Sequence, residues 1–136
     1  MPAQHETEKR DFVKVTVGIP VRYKFLSKSI QVNDADTHEG MTSNLSGMGL
    51  VMVTKLPPVD LLAPLLTHEV LIGINVFLPS TESPIKALTS VSWVECVEEG
   101  AEKCAIGLKF VDVKKEDQDK ILRYVIKSQI TRKVQR

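Results

Sequence analysis

The chain has 136 residues, about one domain at the usual ~100–200 residues per domain, and its 43% hydrophobic and 26% charged residues are an ordinary globular balance. Eighteen Lys and Arg against 17 Asp and Glu leave a net charge of +1, without the basic excess that general nucleic-acid binding or attraction to an anionic membrane requires. Aromatic residues, at 5%, are too sparse for a base-stacking platform, so any anion recognition must be local.

Residues 1–10 read as a flexible N-terminal arm, small, polar and charged, without the apolar run of a secretory signal. From Phe12 the pattern changes: Val13, Val15, Val17, Ile19 and Val21 alternate with polar or small residues, the period of a half-buried strand. Pro20 marks an edge or a bulge in it, because proline cannot donate to the ladder. Residues 33–40 and 44–49 carry turn chemistry, and Leu50-Val51-Met52-Val53 between them and Pro57 is a short strand. Residues 59–68 are apolar but interrupted by Pro64, which leaves a short helical turn or a packed loop. The most apolar stretch, 59–78, is broken by Asp60, Pro64, His68, Glu69 and Asn75 and cannot cross a bilayer as one helix. No membrane association is expected, and the default expectation is a soluble cytoplasmic protein.

Residues 70–78 and 87–97 read as longer strands joined by a loop over 79–84. A turn at 98–101 then leads into a returning strand over 104–113. Cys96 and Cys104 are equidistant from Gly100, so they can face each other across this hairpin; a reducing compartment would keep them as two thiols. The end of the chain changes period. Ile121, Leu122, Val125, Ile126 and Ile130 share one helical face, with acidic residues in the first turns, basic residues toward the end and Asp112 as candidate N-cap. That face serves either the protein's own core, the commoner use, or a partner. The sum is five to seven short strands and a C-terminal helix. Closing such a sheet into a small antiparallel barrel removes its edges; an open sheet with the helix on one face is the competing architecture.

Two constellations could carry chemistry. Arg10 and Lys14, with Lys9 beside them, lie where the arm meets the first strand; residues four apart in an extended segment share a face and can reach one ligand. Taken alone they also read as solvated charge. Asn44-x-Ser46-x-x-Gly49 supplies short donors and acceptors, and Gly47 and Gly49 admit close backbone approach. Taken alone this is equally a serine or asparagine turn. The three histidines, His5, His38 and His68, are scattered and make no metal site with the cysteines, and no nucleophile, carboxylate or metal arrangement points to an enzyme.

Together these residues resemble the PilZ domain family. Lys9-Arg10-Asp11-Phe12-Val13-Lys14-Val15 is similar to its Arg-x-x-x-Arg segment, and Asn44-Leu45-Ser46-Gly47-Met48-Gly49 to its (Asp/Asn)-x-Ser-x-x-Gly motif. Ser90-Val91-Ser92-Trp93 resembles the later strand that often ends in Trp, and Gly107-Leu108-Lys109-Phe110 the Gly-x-(Arg/Lys)-Phe strand before the C-terminal helix. The resemblance runs from about Lys9 to about Ile126. It implies a mainly β fold, a six-stranded antiparallel barrel with a C-terminal helix, in a single-domain receptor for the bacterial second messenger cyclic di-GMP, with no other cofactor.

On that resemblance the arm spans 1–10, the barrel and helix 11–132, and a tail 133–136. Arg10 is the expected guanine and phosphate contact, since a guanidinium can bond O6 and N7 of guanine and stack on the base. Lys14 takes the second arginine position and Lys9 adds charge. Asn44 and Ser46 would bond a guanine edge, Gly47 and Gly49 leave room for the ring, and Trp93 lies beside the base or is a structural aromatic. Ligand would draw the arm over the turn, and the reordered surface would signal to a downstream effector protein that the sequence does not identify. Lys14 departs from the pattern: lysine keeps the charge but loses the planar fork. The alternative expectation is therefore a protein-interaction adaptor of the same fold that binds cyclic di-GMP weakly or not at all.

Overall fold

The computed structural model describes residues 14–16, 18–27, 37–79, 81–96 and 102–134, with the side chains of 14–16 and 131–134 outside the description. The expected arm, the turn residues 33–36 and the hairpin turn at 98–101 lie outside it. The elements in chain order are β1 (Lys14–Thr16), β2 (Pro20–Leu26), β3 (His38–Ser46), β4 (Gly49–Lys55), α1 (Val59–Leu66), β5 (Leu71–Val76), β6 (Ile85–Cys96), β7 (Lys103–Val113) and α2 (Lys115–Val134).

Every strand pairing is antiparallel. The ladder runs β3-β2-β5-β6-β7-β4 and closes through β4 on β3, giving the expected six-stranded barrel. β1 and β2 share one edge of β3, β1 against Asn44–Ser46 and β2 against His38–Met41. β1 and β2 lie where the alternation predicts one strand, and they pair with β3 in two separate runs. The two pairings are offset by one residue across the break, which is the bulge that Pro20 requires. The buried Thr42 repairs this break. Its Oγ1 accepts from the Ile19 amide at 2.9 Å and donates to the Ile19 carbonyl at 3.0 Å, and its own amide donates to the same carbonyl at 2.9 Å.

Strand alternation builds the interior. β2 buries Val21, Tyr23 and Phe25 and exposes Pro20, Arg22, Lys24 and Leu26, the signature of a strand with one wet face. β5 buries Ile72, Ile74 and Val76. Leu45, Met52, Leu65, Ile85, Val91, Ile106, Ile121 and Val125 complete the centre at 0–1% exposure, so the barrel is filled by side chains. Polar groups that enter it are bonded: Tyr23 Oη lies 2.8 Å from Thr54 Oγ1, and Thr89 Oγ1 donates to the Ile72 carbonyl at 2.8 Å. Irregularities at Thr42/Asn44, Leu88/Thr89 and Val91/Trp93 bend the strands for closure.

Two expectations change, and one open choice is resolved. Residues 38–40 and 44–46 are strand, not turn: β3 is paired on both edges, and the ladder overrides the turn preferences of its Glu, Gly, Asn and Ser residues. Asp112 is not a helix cap. It is exposed near the end of β7, whose pairing with β6 holds as far as Val113 opposite Ala87, and the Lys114 carbonyl accepts the first helical amides, from Asp117 and Gln118. The open choice at 59–68 resolves to a helix, with Leu65 buried, Leu61 packed on the core and Pro64 tolerated in the last turn. There His68 takes a positive φ and its Nε2 lies 2.9 Å from the Val91 carbonyl.

Candidate ligand site

The Asn-x-Ser-x-x-Gly segment occupies the corner where β3 becomes β4. Its first three residues end β3, and only Gly47 and Met48 form the turn. Leu45 is fully buried, so alternation puts Asn44 and Ser46, both half-buried, on the outer face of the barrel. Ser46 Oγ accepts from the Met48 amide at 3.2 Å and donates to the Gly49 carbonyl at 3.3 Å, so the hydroxyl closes the turn locally. Across the corner, the Phe110 amide donates to the Met48 carbonyl at 2.9 Å.

The two glycines answer different neighbours. A Cβ on Gly49 would collide with the Leu108 carbonyl, so the absence of a side chain there is set by the approach of β7. A Cβ on Gly47 would lie 2.6 Å from Leu122 Cδ2 on α2. Gln118, one turn earlier on α2, donates from Nε2 to the Gly47 carbonyl at 2.8 Å. The helix therefore seats the corner, and a shallow cavity of about 270 Å³ opens beside it, lined by Gly47, Met48, Phe110, Asp112, Val113 and Gln118 among others.

Cross-strand register extends the outer face. Asn44 pairs with Val51, Val51 with Gly107, and Gly107 with Trp93. The Trp93 indole fills the space a Gly107 side chain would take, and Asn44, Val51 and Trp93 are each half-buried. Adjacent strands lie about 4.8 Å apart, so this row forms a polar-to-aromatic ledge about 10 Å across from Asn44 to Gly107. Exposed Lys109, opposite Gly49, adds a cation at its rim.

The first strand meets this ledge: Lys14 is opposite Ser46 and Thr16 opposite Asn44 in the β1–β3 ladder. Of the expected site residues, Lys14 by its backbone, Asn44, Ser46, Gly47 and Gly49 thus gather at one corner, and Trp93 stands three strands from Asn44 along the same row. Lys9 and Arg10 lie outside the described residues. Sequence reasoning passed over Val51, Gln118 and the seat of Trp93 on Gly107. The last was readable: counting outward from Gly100, as for the cysteine pair, brings Trp93 opposite Gly107. Among the described residues no group of His, Cys, Asp and Glu is arranged to hold a metal ion, and no helix is long and apolar enough to cross a membrane.

The PilZ domain family model matches residues 8–127, and this chain belongs to that family. No curated protein matches the sequence. Solved structures carry the same fold at low identity. The Bacillus subtilis inhibitor of motility (MotI/DgrA) superposes with a TM-score of 0.61 at 17% identity, over 90% of this chain and 52% of that one. The K. pneumonia MrkH–c-di-GMP complex gives 0.59 at 18%, over 85% and 48%. The PilZ domain of YcgR from Escherichia coli, with c-di-GMP, gives 0.56 at 12%, over 94% and 98%. The chain therefore spans about half the length of the first two and nearly all of the YcgR domain.

Proposed function

We propose that this chain is a cyclic di-GMP-binding regulatory module. Its organisation is an arm, residues 1–10, a barrel with its helix, 11–132, and a tail, 133–136, into which the last turn of α2 extends as far as Val134. The observation that carries the reading is the β1–β3 register, Lys14 opposite Ser46 and Thr16 opposite Asn44. The backbone of Lys14–Thr16, which begins four residues after Arg10 in the sequence, thus lies against the Asn-x-Ser-x-x-Gly corner, and on this reading a dinucleotide on the ledge contacts both the corner and Arg10. Family membership and the c-di-GMP complexes of MrkH and the YcgR domain support the choice of ligand.

Each group has a distinct part. Arg10 bonds guanine O6 and N7 or stacks on the ring, and Lys14 and Lys9 neutralise phosphate as point charges. Asn44 and Ser46 bond a guanine edge, Gly47 and Gly49 keep the corner low, and Trp93 packs beside the base. Ligand orders the arm against the barrel, and that surface engages an effector protein, an order–disorder switch.

Equilibrium dialysis with labelled cyclic di-GMP is the test. Uptake at tens of micromolar or below, largely lost in Arg10→Ala, is the expected result; no uptake by the wild type rejects the reading. Lys14 in place of arginine favours a second reading, an adaptor of the same fold with little or no ligand affinity. That reading predicts an intact fold, no nucleotide response, and a partner recovered equally with and without cyclic di-GMP.

A further inference from the structure

The β6–β7 ladder ends on a pair of thiols. Cys96 and Cys104 are directly opposite each other, the last rung before the hairpin turn, and both are free. Two residues inward the rung Val94–Ile106 packs on the core, so alternation aims the cysteine rung at the barrel mouth. Cys104 is fully buried there, its Sγ 3.9 Å from the Lys55 carbonyl, while Cys96 is exposed. Opposed residues in an antiparallel ladder have Cα atoms about 4.5–5.5 Å apart, inside the span a disulfide bridges.

We propose that Cys96 and Cys104 form a thiol-modification site, a cross-strand dithiol that closes to an intramolecular disulfide by exchange with a low-molecular-weight disulfide. The exposed partner reacts first. The Cys96 thiolate attacks one sulfur of the small disulfide, forming a mixed disulfide and expelling one small thiolate. Cys104 then gives up its proton and attacks Cys96 Sγ. The bond to the small thiol breaks, and a second small thiolate leaves. Two protein thiols are oxidised and one small disulfide is reduced to two thiols. Burial, and the nearby Cys96, push the Cys104 thiol pKa up. That keeps Cys104 from attacking a reagent in solution and suits it to the resolving step, where its target is already adjacent.

The experiment exposes the purified full chain to oxidised glutathione, unfolds it in an alkylating agent and weighs it. The expected product is a monomer lighter by two hydrogens, with no glutathionyl group retained and neither cysteine alkylated. Cys96→Ser, a change at an exposed position, is expected to leave Cys104 unmodified before unfolding. A wild-type product that keeps a glutathionyl group on Cys96 while Cys104 is alkylated would overturn the proposal. So would chains cross-linked to one another. Neither result depends on nucleotide binding.

Discussion

Gly49 and Gly47 stand two residues apart in one motif, yet the structure separates what each tolerates. The atom in the way of a Gly49 side chain is a β7 backbone oxygen, which cannot move without breaking the ladder. In front of Gly47 it is the end of a partly exposed leucine. Gly49→Ala is expected to cost about 1–3 kcal/mol, the range for overpacking, and Gly47→Ala distinctly less, as urea unfolding midpoints will report. Thr42→Val keeps the shape but removes the acceptor of the buried Ile19 amide, which predicts a loss of about 1–3 kcal/mol in the same assay. Cys104 makes stability depend on alkaline pH. Its folded pKa is raised, so between the unfolded and folded values the unfolded chain binds fewer protons. This contribution is fully present below the ordinary thiol range and is lost as pH rises through the folded value. Thermal melts of the reduced protein are expected to decline over that window, and a Cys104→Ala protein to lack that part of the decline.

At the scale of elements, α2 divides its apolar residues between two environments. Ile121 and Val125 are completely buried against the barrel, while Leu122, Ile126 and Ile130 keep 36%, 47% and 56% of their surface. The single stripe in the sequence is thus half core and half surface. Ile121→Ala is expected to cost about 2–5 kcal/mol and Ile130→Ser to fall within about 0.5 kcal/mol of wild type in chemical denaturation. Equal losses at the two positions would mean that the outer row is packed in solution. The elements that were legible before folding are those whose local pattern and tertiary environment agree. The β6–β7 hairpin is symmetric about Gly100 down to its cysteine rung, and α2 declares its period. β3 was hidden because HEGMTSNLS offers only Met41 and Leu45 as large apolar residues and its strand state comes from neighbours on both edges. α1 was ambiguous because Pro64 argues against a helix locally, while burial of Leu65 requires one.

For the whole molecule, closure brings β1 and α2, far apart in sequence, to the candidate site. β1, Lys14–Thr16, pairs beside the β3–β4 corner, and α2, from much later in the sequence, seats the same corner through Gln118 and Leu122. The motif residues of this site could be read from the sequence, since they are short local patterns. Its frame could not, because the row from Asn44 through Val51 and Gly107 to Trp93 exists only once four strands are in register. That Gly49 is required by β7, whatever the ligand, is likewise visible only in the closed sheet. The central claim is that a cyclic dinucleotide binds between the Arg10–Lys14 segment and this ledge. Calorimetric titration of cyclic di-GMP into the wild type and Lys14→Arg, side by side, tests it most directly. Restoring a bidentate contact worth about 1–3 kcal/mol predicts saturable heat in both, with Lys14→Arg about 10- to 100-fold tighter. Absence of binding heat in both proteins, or equal affinity in the two, would contradict the account.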